Sequence, residues 1–388
     1  MLPIHGAVAA PGPDAGVAAH YGDPMREQRL LEAGRGVVEL PLAVVSVRGR
    51  DRLGWLDTLS SQRVRGLAPG ESAELLLLDV HGRVEHAAAL VDDGTTAWLT
   101  TEGGRADALA AFLDSMRFML DVAVAREEDV AVLGTVVPGR GGESRVVAET
   151  RAALAGSDTS DDATASHAFG PDALRAVWVD PWPGVVPGGT RYALAQPHPG
   201  EATTFVLVLL AADAVDAVVT RLREAGIAVA GVLAWEALRI AAWRPRLARD
   251  VDDKALPHEL DWLRTAVHLD KGCYKGQEGV ARTYNLGRPP RRLVLLHLDG
   301  SDHLVPEAGA DVGWGGRVVG RVTSVARHHD LGPVALAVVK RTLDPDVDVE
   351  VAGPAGPVAA SQEVIVPTDG YGEGRPQARG PVTPGLRR

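Results

Sequence analysis

Cysteine is almost absent from this chain, which has only Cys273 among its 388 residues. A single thiol excludes an intramolecular disulfide, and it also excludes an iron–sulfur cluster held by four thiolates of this chain. The lack of disulfides is typical of reducing compartments, so we expect a cytoplasmic protein.

An excess of positive charge is lacking too, because the net charge is -11 and the isoelectric point is about 5.6. A general nucleic-acid-binding protein would show a basic stripe and a high isoelectric point. The first nineteen residues have no basic segment and no continuous apolar core, so they resemble neither a signal peptide nor a membrane span. We therefore expect neither nucleic acid nor membrane among the partners.

Several common site motifs are missing as well. The sequence contains no phosphate-cradling glycine loop, no paired-cysteine zinc spacing and no Gly-x-Ser-x-Gly elbow. His328-His329 has no cysteine or further histidine at ligand spacing, which favours a solvated surface over a metal site. We predict no metal ligands.

The surroundings of the single cysteine are unusual. It lies within Lys271-Gly272-Cys273-Tyr274-Lys275-Gly276-Gln277-Glu278, and the composition after Tyr274 predicts a helix. A position just before a helix N-terminus, between Lys271 and Lys275, would favour the thiolate. A buried, inert thiol is the alternative, but the polar and glycine-rich neighbours favour a loop. We predict a reactive thiol at Cys273.

This motif resembles the signature of the YgfZ family, folate-binding proteins tied to iron–sulfur cluster assembly or repair and related to the glycine cleavage T-protein, an aminomethyltransferase. The resemblance runs from about His20 to Pro367, and residues 20–28, 257–262 and 288–292 support it. It implies an α+β, T-protein-like fold in which three domains surround a central folate cavity. It also implies a tetrahydrofolate-binding accessory protein whose partners are iron–sulfur client enzymes or assembly proteins.

Two departures from the T-protein pattern argue against catalysis. The run that supplies the catalytic aspartate in T-proteins reads His81-Gly82-Arg83-Val84-Glu85-His86 here, and Cys273 stands where T-proteins have an aspartate. Glu85 is the candidate base, but its extra methylene would misplace the carboxylate. The Gly-Tyr-Thr-Gly-Glu stretch that reads the pterin edge is missing between Ala176 and Leu210, so no pterin-binding carboxylate is assigned. A folate-dependent aminomethyl-type transferase or demethylase remains the alternative function.

A helix predicted over 232–243 places Glu236 and Arg239 on one face. A surface ion pair is the simpler interpretation of that spacing. The resemblance instead places this segment along the folate cavity, where arginines could contact an anionic ligand. We assign to the folate site Glu236, Arg239, Arg244, Arg246, Lys271, Gly272, Tyr274, Gly276, Gln277, Glu278 and Arg282.

Composition and element patterns divide the chain into segments. Residues 138–166 are rich in Gly, Ser, Asp and Thr, and the paired prolines at 289 and 290 stop the preceding helix. Short strands separated by Gly, Pro and Asp turns then predict a small antiparallel barrel. The predicted segments are a loose tail over 1–19, an N-terminal α+β domain over 20–137, a flexible insertion or linker over 138–166, a second α+β domain over 167–287, the barrel over 288–367 and a tail over 368–388.

Overall fold

The protein is described by a computed structural model, which covers residues 2, 4–155, 171–301 and 305–375. The α-helices in these ranges are α1 Pro24–Glu32, α2 Arg52–Leu59, α3 Ala106–Ser115, α4 Arg145–Leu154, α5 Val215–Glu224, α6 Val232–Ala241, α7 Leu247–Asp250 and α8 Gln277–Asn285. The strands are β1 Val8–Ala9, β2 Ala18–His20, β3 Gly36–Leu40, β4 Leu42–Arg48, β5 Ser72–Leu78, β6 Val84–Asp92, β7 Thr96–Glu102, β8 Ala123–Glu127, β9 Val130–Pro138, β10 Leu174–Val179, β11 Thr203–Ala211, β12 Ala228–Ala230, β13 Arg291–Leu298, β14 Asp311–Trp314, β15 Arg317–His328, β16 Gly332–Lys340, β17 Val349–Gly353 and β18 Gly356–Val364. Within the described ranges, no helix is long and apolar enough to cross a membrane.

The first sheet is antiparallel, with strand order β5-β6-β7-β4-β8. One of its faces packs against α2 and α3 in a core that includes Leu75, Leu77 and Leu109. Its ladder has a bulge at Glu85, because Leu77 pairs with His86 and Leu78 pairs with Val84. A bulge re-aims the local side chain, which decides where the Glu85 carboxylate lies.

The second sheet has the order β10-β11-β9-β3-β12, and only the β12–β3 pair within it is parallel. Strands β3 and β9 come from the first 138 residues, so the two α+β units divide the chain differently from the predicted domains. Gly134 on β9 lets α6 approach the sheet, since a Cβ there would lie 2.6 Å from a ring atom of Trp235. This close packing brings α6 toward the centre of the molecule.

The third unit is the predicted barrel, closed in the order β13-β16-β15-β14-β17-β18. Val294, Leu296 and Leu298 on β13 fill the barrel interior. The alternate residues Leu293 and Leu295 pack against the rest of the molecule instead. The period-2 alternation of β13 therefore closes the barrel and docks it at the same time.

The N-terminal segment differs from the loose tail that its composition predicts. Strands β1 and β2 form an antiparallel hairpin within the first twenty residues. Asp14, between them, is only 3% exposed. It forms ion pairs with Arg246 and Arg249, so a long-range charge contact holds this segment in place.

The predicted linker and C-terminal tail also differ from expectation where the structure describes them. Residues of the linker form α4, which buries Val146 and Leu154 against the second sheet and its helices. At the C-terminus, Glu373 pairs with Arg191 at 2.7 Å, and its carbonyl accepts a hydrogen bond from Thr190. The apolar face of α4 and the ion pair of Glu373 thus order segments whose polar composition predicts a linker and a tail. Residues 156–166 and 376–388 lie outside the described residues.

Candidate ligand cavity and thiol loop

A cavity opens between strands of both sheets, α6 and the segment that follows α6. Aromatic side chains form much of its wall: Trp178, Phe205, Trp235 and Trp262. Phe205 and Trp235 meet edge to face with their ring centroids 4.8 Å apart. Such a wall suits a flat ligand with apolar faces.

The polar part of the wall centres on Arg244. Its Nε donates to Asp180 at 2.9 Å, and its Nη2 donates to Glu74 at 2.7 Å. Glu74 also accepts hydrogen bonds from the indole of Trp262 at 2.8 Å and from the hydroxyl of Thr265 at 2.5 Å. Nη1 of Arg244 is buried and has no acceptor among the described residues.

A second group of charges begins at the cavity wall with Arg239 and Arg246 and extends behind it to Glu236 and Asp250. Arg239 donates twice to Glu236, at 3.0 and 2.6 Å, and once to Asp250 at 2.7 Å. Arg246 donates to both oxygens of Glu102 at 2.9 Å and to Glu236 at 3.0 Å. The Glu236–Arg239 spacing therefore marks a buried network and not the simple surface pair.

These groups shift one another's ionisation. Although burial raises the pKa of Glu236, Arg239 and Arg246 lower it to about 2. Burial raises the pKa of Asp180 to about 6, against the opposing effect of Arg244. The protonation of Asp180 therefore changes near neutral pH.

Charge counting shows that the cavity arginines are already neutralised. Six carboxylates (−6) contact four guanidinium groups (+4), which leaves a formal charge of −2: Asp14, Glu74, Glu102, Asp180, Glu236 and Asp250 with Arg239, Arg244, Arg246 and Arg249. An incoming anion would meet this excess in a poorly solvated space, which is unfavourable. The expectation that these arginines contact an anionic ligand therefore lacks support in their geometry.

The stretch around the cysteine forms a separate feature, residues 271–276, which we call the thiol loop. Helix α8 begins at Gln277 after Gly276, whose φ of 84° is left-handed. Cys273 lies three residues before this cap and is exposed. It is not among the residues that line the cavity.

Both lysines of the thiol loop have partners of their own. Nζ of Lys271 donates to three backbone carbonyls, while Nζ of Lys275 lies 2.9 Å from the Glu85 carboxylate. The predicted helix start is correct, since α8 begins at Gln277. Neither lysine, however, is a free cation beside the thiol. Reactivity of Cys273 stays a prediction.

Glu85 lies away from the cavity. Nζ of its partner Lys275 is 5.7 Å from the centroid of the Phe112 ring, and Phe112 packs in the core between the first sheet and its helices. The cavity lies on the other side of this sheet, where Glu74 and Ala87 line it. The bulge thus turns the candidate base outward, and a base inside the cavity would have to be another carboxylate.

The predicted ligand residues therefore separate into two groups. Arg239, Arg244 and Arg246 line the cavity, and Glu236 lies behind them. Gln277 donates to the carbonyl of Lys271 at 3.2 Å and so closes the thiol loop. The other predicted residues lie outside the cavity lining: Lys271, Gly272, Tyr274, Gly276, Gln277, Glu278 and Arg282.

Sequence reasoning missed the aromatic wall and three cavity carboxylates, Glu74, Glu102 and Asp180. Glu74 left a signal, because it is the charged residue that interrupts the apolar run of β5. Asp180 directly follows β10, a position where strands commonly deliver side chains to a site. The four aromatic residues come from separate elements, and no local spacing links them.

The histidine pair at 328 and 329 lies between α1 and the barrel, contrary to the predicted solvated surface. His329 Nε2 lies 2.8 Å from Glu32, and ligand atoms of the three residues fall within 4.8 Å of one another. Nδ1 of His328 accepts hydrogen bonds from the backbone N–H groups of Asp330 and Leu331. Its neutral form therefore carries the proton on Nε2, which does not suit metal ligation. We assign this group a packing role.

Comparisons with known proteins agree with this architecture. Residues 291–366 match the family described as the glycine cleavage T-protein C-terminal barrel domain. The solved aminomethyltransferase T of Bartonella henselae superposes with a TM-score of 0.70 and 17% identity, covering 94% of this chain and 95% of that one. This likeness shows the T-protein fold.

Curated relatives connect the chain with two groups of proteins. A putative chloroplastic transferase of Arabidopsis thaliana is 34% identical over 31% of this chain and 26% of its own length. The aminomethyltransferase of a Nostoc species is 36% identical over 35% of this chain and 36% of its own length. Both matches thus span only about a quarter to a third of those relatives. The tRNA-modifying protein YgfZ of Klebsiella pneumoniae is 25% identical over 81% of this chain and 88% of its own length. The chain is therefore a relative of YgfZ and of the glycine cleavage T-protein.

Proposed function

We propose that this chain binds a reduced folate, such as tetrahydrofolate, in the central cavity. The observation that carries this proposal is the aromatic wall of Trp178, Phe205 and Trp235 around the buried Glu74–Arg244 pair. A pterin has flat apolar faces and a polar edge, which match such a wall. The relation to aminomethyltransferases and to YgfZ supports the same ligand class.

The charge balance favours the pterin ring as the part inside the cavity. The glutamyl tail carries carboxylates, and their desolvation beside a network of formal charge −2 would cost free energy. We therefore place the tail toward solvent.

We further propose that the protein is an accessory factor in the assembly or repair of iron–sulfur enzymes in the cytoplasm. Cys273 is exposed outside the cavity, where a thiol can reach a large partner. A thiolate can ligate iron transiently or exchange with other thiols. Because one thiol cannot hold a cluster alone, the remaining ligands would come from the client protein.

An aminomethyl-type transferase is the second candidate, and one observation favours it. Asp180 lines the cavity, and burial raises its pKa to about 6, in the range where a carboxyl group exchanges protons near neutral pH. Formation of methylene-tetrahydrofolate by the purified protein would decide for this enzyme and against the accessory role.

Folate binding is tested by anaerobic titration of the purified protein with tetrahydrofolate in a calorimeter. We expect one saturable site, weakened about tenfold in Trp235→Ala because a stacking wall is lost. Trp314→Ala is the matched control, since Trp314 lies on the barrel and is 47% exposed. No binding by the wild type, or equal loss in both variants, would contradict the proposed site.

The accessory role is tested in cells that depend on this chain. Cys273→Ser should lower the activity of iron–sulfur enzymes while the purified variant still binds tetrahydrofolate. Lys275→Met, in the same loop, serves as the control and should leave those activities normal. Normal client activity with Cys273→Ser would exclude the thiol from the function.

A further inference from the structure

We infer that Lys271 is a positioning residue whose buried ammonium clamps the thiol loop onto the end of α2 and thereby fixes Cys273 in its exposed place. The functional meaning of this clamp rests on the proposed role of the thiol. The clamp itself depends neither on folate nor on a client protein.

The geometry around the ammonium is complete. Nζ of Lys271 donates to the carbonyl oxygens of Asp57 at 2.5 Å, Ser60 at 2.7 Å and Gln62 at 2.7 Å. An ammonium has three N–H groups, so each one has an acceptor. Helix α2 ends at Leu59, and carbonyls at such an end lack partners within the helix. Lys271 therefore satisfies the end of α2 from a segment more than 200 residues away.

Burial of the Lys271 ammonium costs free energy, which argues against an incidental surface contact. The side chain of Lys271 is 1% exposed, and lysine is rarely buried unless it is paired. The nearest carboxylate oxygen, on Asp57, is 3.8 Å from Nζ. The partial negative charge at the C-terminal end of α2 also favours a cation there.

A second anchor lies on the other side of the cysteine. Tyr274 is 9% exposed and packs into the same core as Val280 on α8. Nζ of Lys271 is 5.3 Å from the centroid of the Tyr274 ring. Cys273 therefore projects to solvent between two buried side chains.

Holding a thiol in place has a physical benefit. Exposed loops are usually mobile, and a partner that binds one must restrict its motion at an entropic cost. The two anchors of the thiol loop restrict it in advance. An exposed thiol in one orientation is suited to contact a group on another macromolecule.

The single cysteine allows a direct test by electron paramagnetic resonance. A nitroxide attached to Cys273 reports on this loop without removal of any other thiol. We expect an immobilised spectrum in the wild type and a mobile one in Lys271→Met, which keeps the length of the stem but lacks the N–H donors. Lys275→Met is the matched control, also two residues from the cysteine, and should keep the wild-type spectrum because its lysine contacts Glu85 and the Phe112 ring instead of the end of α2.

Thermal unfolding of each labelled variant shows whether it is folded at the temperature of the spectrum. An immobilised label in folded Lys271→Met would overturn the inference, and so would equal mobility in the two variants. If Lys271→Met does not fold, Lys271→Gln takes its place. Its amide offers two N–H donors to three carbonyls, so intermediate mobility is expected and wild-type mobility would overturn the clamp. These spectra do not depend on folate or clients, so failure of the proposed function leaves their outcome readable.

Discussion

The cavity and the thiol loop both bury cations, but they neutralise them differently. In the cavity, Arg239 and Arg246 meet carboxylates within 3.0 Å. In the thiol loop, Lys271 meets neutral carbonyls, and its closest carboxylate oxygen is 3.8 Å away. Acid should therefore weaken the ion pairs around the cavity by protonating carboxylates. Base should weaken the attachment of the thiol loop by deprotonating Lys271. Lysines and arginines near a motif thus do not predict a site for an anion, because carboxylates and carbonyls from distant segments already pair with them.

Removal of Arg246 should give the largest effect, since it breaks the cavity network at its most connected cation. Arg246→Met leaves Glu102, Glu236 and Asp14 without this partner, and loss of one member of a buried ion pair typically costs about 3–5 kcal/mol. Urea unfolding measures this change in the free energy of unfolding.

The control for Arg246→Met is Arg282→Met, on the exposed side of α8. Surface substitutions of this kind usually stay within about 0.5 kcal/mol of the wild type. A nitroxide on Cys273 should keep its spectrum in both variants, because the two regions are separate. Equal stability of the two variants would show that the network does not stabilise the fold.

Acid should weaken the cavity before it affects the thiol loop. The folded pKa of Glu236 is about 2, below its ordinary 4.5, so the unfolded chain binds the proton more tightly. Its stabilising contribution is present above about pH 4.5 and is lost as the pH falls toward 2, by about 3 kcal/mol in all. Asp180 acts in the opposite direction, because its raised pKa makes the folded state bind the proton more tightly.

Urea unfolding of the wild type and of Glu236→Gln at several acidic pH values checks this effect. We expect the variant to be less stable at neutral pH but to lose less stability on acidification. Parallel losses in the two proteins would assign the acid sensitivity to other groups, such as His258, whose pKa burial lowers to about 4.

Base should loosen the thiol loop instead. Burial lowers the pKa of Lys271 to about 8, with Asp57 opposing the shift and Arg63 and Arg65 adding to it. A neutral amine has two N–H groups for three carbonyls, so one hydrogen bond worth about 1 kcal/mol is lost. The mobility of a nitroxide on Cys273 should rise with a midpoint near pH 8 in the wild type and show no such step in Lys271→Met.

The effect of base on the free energy of unfolding has the opposite sign from its effect on the thiol loop. The folded pKa of Lys271 lies below its ordinary 10.5, so the unfolded chain binds the proton more tightly between the two values. The free energy of unfolding should therefore rise from about pH 8 toward 10.5 while the loop becomes more mobile. A label spectrum that does not change with pH in the wild type would contradict the pKa shift of Lys271.

Local patterns in the sequence predict the elements of this fold better than its assembly. Short strands separated by turn residues predict the barrel, and helical composition after Tyr274 predicts α8, because both depend on neighbouring residues. The membership of β3 and β9 in the second sheet depends on pairing with strands far along the chain, which local pattern does not encode.

In the candidate site, too, local spacing predicts some contacts, and the tertiary fold alone decides others. The pair Glu236–Arg239 could be found from helical spacing. The partners Asp14 and Glu102 could not, since they reach Arg246 only through the tertiary fold. Likewise, the motif locates the exposed cysteine, but nothing near it indicates that Lys271 bonds to the end of α2.

The smallest effect should come from Glu85→Gln, which tests the transferase alternative most directly. Glu85 and Lys275 are 40% and 39% exposed, and exposed ion pairs contribute roughly 0–1 kcal/mol. The bulge turns Glu85 away from the cavity, so the substitution should change neither tetrahydrofolate affinity nor the activity of client enzymes. Calorimetric titration and client assays in cells, with Cys273→Ser as the comparison, measure both. If Glu85→Gln instead abolished folate turnover measured with the wild type, the carboxylate would have to reach the folate, and the accessory role would give way to catalysis.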